Sequence, residues 1–119
     1  MSLVIWCKDS QAKVLTTLAP VLAGFQGLDI KVVNDVTTPP KVQGAVVILA
    51  LGNDPKLTME AMKVTPKGRT TTSLRGGYFG HESLGCPIMF SYSPGIADMD
   101  YGRYVDLLTD VGTACRFAK

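Results

Sequence analysis

The fold is decided by the stretch Ala45–Leu51 (AVVILAL), the longest unbroken apolar run of the chain. A strand that is apolar at every position is buried on both faces, as in the middle of a parallel sheet. Gly52 ends the run, and Asn53 and Pro55 follow as residues typical of a helix start. Because parallel neighbours need long crossover connections, the run predicts a central strand with helices packed on its sheet.

Three further stretches rich in strand-forming residues predict strands, and apolar residues three or four positions apart predict helices between them. We expect the first helix, closed by Gly24 and Gly27, to kink or divide at Pro20, because proline removes a backbone hydrogen bond. Asp98 and Asp100 are expected in the first turn of the last helix, where the helix dipole favours negative charge. The predicted strands cover 3–7, 30–34, 45–51 and 87–92. The predicted helices carry 14–25, a short stretch after Asn53, and 97–117, the last with one apolar stripe from Tyr101 to Cys115.

Two connections lack helical patterns. Pro39-Pro40 forbids helix between the second and third strands and favours an extended loop. The segment 65–77 is predicted to be an exposed loop, because it is rich in glycine, proline and threonine. Residues 78–80 are expected to pair with the last strand around a turn at Glu82–Gly85.

The alternation of strands and helices predicts an α/β fold: a three-layer sandwich with a mostly parallel four-stranded central sheet flanked by helices. Residues 1–119 are predicted to form a single domain, since domains most often run about 100–150 residues. Function in such a sheet gathers at the carboxyl ends of the strands. Those ends are expected at 8–10, 34–40, 52–54 and 92–95.

Composition narrows the class of protein. The chain is 46% hydrophobic and 18% charged, which excludes a disordered chain. Its net charge of +2 is too small to indicate a nucleic-acid binder by itself. The charge is nevertheless uneven, because residues 61–80 contain four basic residues and no acid: Lys63, Lys67, Arg69 and Arg75.

No membrane span and no signal peptide are expected, because no apolar run approaches the roughly 20 residues that a bilayer needs. Lys8 and Asp9 interrupt the first apolar run. The cytoplasm is therefore the expected location. The three cysteines and the single histidine, His81, lack metal-ligand spacing, so neither a metal nor a cofactor is expected.

Four pieces of the chain, in order, resemble the uracil-DNA glycosylase superfamily, especially its bacterial and phage-type branch. They are 32–40 (VVNDVTTPP), 47–52 (VILALG), 74–76 (LRG) and 87–94 (PIMFSYSP). The first is like the family's strand ending in Asn before paired prolines, and the second is like its central strand ending in Leu-Gly. The third is like its Leu-Arg-Gly turn, and the fourth lies where a strand leads to the family's His-Pro motif.

The resemblance implies base excision, in which uracil is flipped out of DNA into a pocket at the carboxyl edge of the sheet. In the family an Asn reads the uracil edge, and Asn34 holds that position. A His stabilises negative charge on the departing base, and Ser93 stands in its place. An acidic or polar residue after the first strand positions the attacking water, the role that Asp9 would take.

The chain departs from the family pattern at the catalytic positions. A serine hydroxyl cannot carry positive charge as an imidazole does. The Gly-rich loop after the first strand is missing at Cys7–Ser10, and the chain is shorter than the family generally needs. We therefore predict a shortened and catalytically degenerate member, with Asp9, Asn34 and Ser93 as its candidate catalytic residues.

The resemblance also implies DNA contacts outside the pocket. Lys67, Arg69 and Arg75 are the candidates for phosphate contacts, and Tyr92 is the candidate for stacking on a base. Plainer roles stay open for each of these residues: a helix cap for Asp9, a turn residue for Asn34, a solvated loop for the three basic residues, and a core or rim position for Tyr92 and Phe90.

The predicted function is a non-catalytic or weakly catalytic DNA-binding or replication-accessory module, whose partners are DNA and a replication protein such as a phage-type DNA polymerase. One alternative is an active uracil-DNA glycosylase, which hydrolyses the N-glycosidic bond with rearranged catalytic residues. The other is a small α/β protein-interaction domain without nucleic acid, whose last helix would present Tyr101, Tyr104 and Leu108. A homo-oligomer is compatible with each. For a phage-encoded chain, the expected location is the host cytoplasm.

Overall fold

The central sheet has four strands in the order β2-β1-β3-β4, and every neighbouring pair is parallel. These elements come from a computed structural model that describes residues 2–80 and 84–119. The strands are β1 (Ser2–Trp6), β2 (Asp29–Val33), β3 (Ala45–Leu51) and β4 (Ile88–Ser91). The predicted α/β class with a parallel central sheet is confirmed.

Strand β3 lies inside the sheet, as its uninterrupted apolar sequence predicts. Side chains of a strand alternate between the two faces of its sheet. Val47, Leu49 and Leu51 belong to the apolar cluster on one face, whereas Ile48 and Ala50 belong to the cluster on the other. Both faces of the strand are therefore covered, which gives the three layers of the sandwich.

The first helical layer contains α1 (Gln11–Leu22) and α4 (Tyr101–Ala118). Helix α1 begins at Ser10, whose hydroxyl accepts a hydrogen bond from the backbone N–H of Lys13 at 3.3 Å. Val14 and Leu18, four residues apart, are its buried contacts with the sheet. The predicted division at Pro20 is wrong, because α1 continues to Leu22 and is followed by a short 3-10 helix at Ala23–Phe25.

The second helical layer contains α2 (Asn53–Ala61) and α3 (Thr71–Leu74). The extended segment 34–44 joins β2 to β3 without a helix, and its Val36 and Val42 pack on the same apolar cluster as Met59 of α2. This connection and the β3–β4 connection step in the same direction across the sheet and lie on the same face. The segment with the paired prolines is therefore an extended crossover connection, which covers this face of the sheet where a helix would usually lie.

Three local predictions need correction. Helix α4 begins at Tyr101 and not near 97, because a 3-10 helix occupies Pro94–Asp98 and Asp100 is the N-cap. Asp98 therefore lies outside the helix, and the buried stripe runs through Leu107, Val111 and Ala114, while Tyr101 is 78% exposed. The predicted loop 65–77 contains the short helix α3.

The expected pairing of 78–80 with the last strand is confirmed by an antiparallel bridge between Phe79 and Ile88. The N–H groups of both residues donate to the carbonyl of the other, at 2.9 Å and 2.8 Å. The turn expected at Glu82–Gly85 lies largely outside the described residues, and so does His81. Within the two described ranges, no helix combines the length and apolarity that a bilayer crossing would need.

Candidate functional site

The carboxyl ends of all four strands meet at one edge of the sheet, because the strands are parallel. From this edge, β1 continues into α1 on one face, and β3 continues into α2 on the other. Neighbouring strands whose connections leave on opposite faces leave a crevice between them, which is where α/β proteins bind ligands. Three candidate residues lie at this edge, because Asp9, Asn34 and Ser93 follow β1, β2 and β4.

Asn34 follows β2 and braces the end of β1. Its side-chain amide donates to the carbonyl oxygen of Cys7 at 3.0 Å and also to the carbonyl oxygen of Asp9. Because a side-chain amide carries two N–H donors, both are engaged on the main chain. The residue predicted to read a uracil edge thus has only its carbonyl oxygen left for a ligand.

Asp9 lies in the connection between β1 and α1, but it does not cap the helix, since Ser10 does. Its carboxylate lies 3.8 Å from the ammonium of Lys13, one turn into α1. Lys13 Nζ also lies 4.0 Å from the place where a Cβ on Gly95 would be. Lys13 therefore stands between Asp9 and the segment that follows β4.

Ser93 lies beside the end of β3. Gly52 has φ +91°, and a Cβ on it would lie 3.1 Å from Ser93 Cβ. The N–H of Gly52 donates to the carbonyl of Ser91 at 3.0 Å. The close approach needs glycine for two reasons: its left-handed backbone, and the space that a side chain would take from Ser93. The glycine at the end of β3 therefore has a structural reason in this protein.

A polar cleft opens between the ends of β3 and β4, and we call it the β3–β4 cleft. Its volume is about 370 Å³. Helix α2 begins here, and its N-cap, Gly52, provides no side-chain hydrogen bond to the first turn. Backbone N–H groups at a helix start carry partial positive charge and need acceptors. The lining residues are Gly52, Asn53, Thr70, Thr71, Thr72, Tyr92, Ser93, Ile96 and Arg103.

Arg103 brings a cation to the β3–β4 cleft. It lies in the first turn of α4, and its side chain is 54% exposed. Its Nε lies 3.7 Å from the carboxylate of Asp100, and its guanidinium carbon lies 5.4 Å from the ring centroid of Tyr92. These two contacts leave much of the guanidinium open to a ligand. Arg103 was not predictable from the sequence, since one arginine in a helix carries no local signal.

Tyr92 supports the wall of the β3–β4 cleft. The residue is only 8% exposed, and its hydroxyl and that of Thr72 form a hydrogen bond at 2.8 Å. The guanidinium carbon of Arg75 lies 5.4 Å from the ring centroid, the same distance as that of Arg103. A ring held this way has no open face for a base, so stacking of Tyr92 on DNA stays a prediction without geometric support.

Arg75 is half-buried and is held by two carboxylates of α4. Its Nε and Nη2 donate to the carboxylate of Asp110 at 2.7 Å and 3.0 Å, and its Nη1 lies 3.5 Å from that of Asp106. The hydrogen bond to Asp110 raises the pKa of Arg75, and the two negative charges add to it against the opposing effect of burial. The geometry favours an internal role over a phosphate contact.

Asp110 is a second functional residue, after Arg103, that was not predicted from the sequence. It is 7% exposed on the buried side of α4, between Leu107 and Val111. Besides Arg75, it accepts a hydrogen bond from the hydroxyl of Ser91. The sequence does contain one signal for this residue: an aspartate lies within the apolar stripe of the last helix. A buried carboxylate requires a partner, so this position indicates an internal ion pair or hydrogen bond.

Lys67 and Arg69 continue the basic segment away from the β3–β4 cleft. Both are exposed. Arg69 donates to the hydroxyl and the carbonyl of Ser73 at 3.0 Å and 3.2 Å, and Lys56 donates to the carbonyl of Arg69 at 2.9 Å. Lys67 and Lys63 line a second cavity of about 660 Å³ beside the end of α2. The segment thus leads from one cavity to the other.

The metal-ligating side chains and the thiols of the described residues form no further candidate site. Across 2–80 and 84–119, no three His, Cys, Asp or Glu side chains come close enough together to hold a metal ion. Cys7 and Cys115 are buried and Cys86 is half-buried, all as free thiols. Burial raises the pKa of the Cys7 thiol to about 11, so it is protonated at neutral pH.

Comparison with protein-family models finds no match for the chain, and a search of curated proteins finds no relative.

Proposed function

We propose that the protein is a DNA-binding module that holds the sugar-phosphate backbone at the carboxyl edge of its sheet and does not excise bases. The observation that carries this proposal is the β3–β4 cleft, where hydroxyl groups, an uncapped helix start and Arg103 face the same space. The resemblance to the uracil-DNA glycosylase superfamily is the reason for proposing DNA as the nucleic acid that binds.

The groups in the β3–β4 cleft suit a phosphate. Phosphate oxygens accept hydrogen bonds from hydroxyls, from backbone N–H groups at a helix start and from arginine. Thr71, Ser93 and Asn53 provide short polar side chains, and Arg103 provides the charge. Exposed Arg69 and Lys67 extend the positive surface along the chain beyond Thr70. A backbone that enters the cleft would pass these two residues next.

Base excision is not favoured by the same geometry. Cleavage of an N-glycosidic bond leaves negative charge on the base, which preorganised donors must stabilise. The two donors of Asn34 are engaged by Cys7 and Asp9, and Ser93 provides a neutral hydroxyl where the family has histidine. Asp9, the candidate for positioning water, faces the ammonium of Lys13.

Titration of fluorescein-labelled single- and double-stranded DNA, followed by anisotropy at low salt, tests the binding. We expect saturable binding that weakens steeply as salt rises, because phosphate contacts release counterions. Replacement Arg103→Gln should weaken it about tenfold, the usual effect of losing one charged hydrogen bond. Arg116→Gln is the matched control, since Arg116 is exposed at the other end of α4 and bonds only Thr113 among the described residues. Absence of binding to either DNA contradicts the proposal.

A second experiment tests the chemistry. A uracil-containing oligonucleotide is incubated with excess protein and then treated with alkali, which cleaves the strand at any abasic site. We expect no cleavage. Cleavage that disappears in the Asn34→Ala variant would establish the alternative, an active glycosylase with rearranged catalytic residues.

One observation favours a protein partner in addition to DNA. Met99 and Tyr101, at the start of α4, are 83% and 78% exposed, which is unusual for large apolar side chains. They lie within four residues of Arg103. A replication protein such as a phage-type DNA polymerase, bound beside the cleft, or a second copy of the chain would cover them. Light scattering with the Met99→Ser/Tyr101→Ser variant distinguishes the second copy. We propose the cytoplasm of the cell or phage host as the location of the protein.

A further inference from the structure

Given the DNA-binding function proposed above, we infer that Arg75 is a positioning residue: its ion pair with Asp110 holds the walls of the β3–β4 cleft in place, and it does not contact DNA. The resemblance to the uracil-DNA glycosylase superfamily implies a phosphate contact for Arg75. The contacts around Arg75 favour an internal, positioning role. These contacts form a chain of hydrogen bonds that leads from Arg75 to the residues lining the cleft.

The first link joins Arg75 to the threonine wall. The N–H of Arg75 donates to the carbonyl of Thr71 at 3.0 Å and closes helix α3. Its guanidinium lies against the ring of Tyr92, whose hydroxyl is bonded to that of Thr72. Thr71 and Thr72 both line the cleft. A helix of four residues cannot hold itself in place, so its position depends on such external contacts.

The second link joins Asp110 to the opposite wall. The hydroxyl of Ser91 donates to the carboxylate of Asp110, and the carbonyl of Ser91 accepts from the N–H of Gly52. Gly52 is the N-cap of α2 and lines this wall of the cleft. Asp110 therefore connects both walls through Arg75 on one side and Ser91 on the other.

The charge balance separates Arg75 from Arg103. Arg75 is 21% exposed and has two carboxylates, those of Asp110 and Asp106, within 3.5 Å. Arg103 is 54% exposed, and its carboxylate neighbour lies at 3.7 Å. A phosphate could bind Arg103 without breaking a short contact, whereas binding Arg75 would require it to leave a bidentate pair.

The salt dependence of DNA binding distinguishes the two roles. Loss of a phosphate contact lowers the slope of log K against log salt by about one, whereas a displaced wall lowers the affinity at an unchanged slope. We therefore expect Arg75→Gln to weaken binding at least fivefold with the wild-type slope. Arg103→Gln should weaken it and lower the slope by about one.

Asp110→Asn should change the DNA affinity in opposite directions for the two possible roles of Arg75, phosphate contact and positioning residue. The change removes negative charge and frees Arg75, so affinity should rise if Arg75 binds phosphate. If Arg75 positions the walls, affinity should fall. Asp106→Asn is the matched control, since Asp106 faces the same guanidinium at 3.5 Å but has no bond to Ser91 among the described residues. It should change affinity less than twofold.

Amide hydrogen exchange measures the positioning without DNA. The N–H groups of Ser73, Leu74 and Arg75 are bonded to carbonyls of Thr70 and Thr71. Asp110→Asn should speed their exchange at least tenfold relative to Asp106→Asn. If Arg75→Gln does not fold, Arg75→Lys replaces it, since lysine keeps the charge but cannot form a bidentate pair.

The outcomes separate the two proposals. If the wild-type protein binds no DNA, the DNA-binding function fails, and exchange at 73–75 alone decides the positioning role. If DNA binds but Arg75→Gln lowers the slope by about one, or Asp110→Asn raises affinity, the positioning role is overturned and Arg75 is a DNA contact.

Discussion

Arg75 and Asp110 form a bidentate ion pair around the edge strand β4, with Nε to Oδ2 at 2.7 Å and Nη2 to Oδ1 at 3.0 Å. Arg75 follows α3 on one face of the sheet, and Asp110 belongs to α4 on the other. The rings of Tyr78 and Phe117, 5.1 Å apart, make a second contact between the same two segments. The segment after α3 therefore covers an edge that would otherwise be open to pairing with another chain.

The pair should behave as a unit in stability. Arg75→Met leaves the carboxylate of Asp110 without its cation and should lower the free energy of unfolding by about 2–3 kcal/mol, somewhat less than for a fully buried pair. The double variant Arg75→Met/Asp110→Leu should lose less than the sum of the two single changes. Urea unfolding of the four proteins measures this coupling. Additive losses would mean that the two residues do not depend on each other.

Gly52 should be hard to replace. Gly52→Ala places a Cβ 3.1 Å from Ser93 Cβ on a backbone with φ +91°. We expect a loss of about 2 kcal/mol, since a side chain in this conformation adds backbone strain to the steric conflict. The double variant Gly52→Ala/Ser93→Gly relieves the conflict but not the strain, so thermal melts should show only partial recovery. Full recovery would assign the whole effect to crowding.

Lys63 offers a stabilising change. It follows Met62, the C-cap of α2, and has φ 63°, the left-handed conformation that favours glycine at this position after a helix. Lys63→Gly should raise the free energy of unfolding by about 0.5–1 kcal/mol, because the strain is removed. Lys67→Gly is the control, since its φ is not positive. Thermal melts that rank the two variants the other way would contradict this account.

The side-chain amide of Asn34 should stabilise the fold through the hydrogen bonds that it donates. Asn34→Ala removes two hydrogen bonds to Cys7 and Asp9 and should cost about 1–2 kcal/mol. Asn34→Asp keeps the shape but turns a carboxylate oxygen toward two carbonyl oxygens, so it should cost more than alanine at neutral pH. Urea midpoints of the two variants are compared directly. Equal stability of the aspartate variant and the wild type would show that the bonds to the carbonyls are dispensable.

Cys7 predicts a loss of stability at alkaline pH. Burial raises the pKa of its thiol from near 9 to about 11 in the folded protein. The folded state therefore keeps its proton where the unfolded state has lost it. The resulting stability is fully present below about pH 9 and is lost as pH rises through 11. Unfolding free energies measured from pH 8 to 11 should fall less steeply in Cys7→Ala than in the wild type. Burial also raises the pKa of the half-buried Cys86 thiol, so Cys86→Ala should reduce the fall in the same direction but by less than Cys7→Ala.

Much of the fold follows from local pattern. The run 45–51 places its strand in the middle of a parallel sheet, because an all-apolar strand is stable only with both faces covered. Parallel strands end at one edge, so Asp9, Asn34 and Ser93 were correctly expected at the same edge from their positions after strands. What the side chains do there was not predictable, since the donors of Asn34 are directed by carbonyls 25 and 27 residues away.

The sequence alone determined the alternation of strands with the three main helices, the parallel sheet and the edge where polar residues collect, because these depend on neighbouring residues and on alternation. The tertiary structure alone decided which charges are free. Arg75 and Asp110 are 35 residues apart in the chain, and no periodicity relates them. Only the packing of α4 against β4 brings the carboxylate of Asp110 to the guanidinium of Arg75. The same packing buries Tyr92 beside Arg75 and Arg103 and leaves Arg103 facing the cleft.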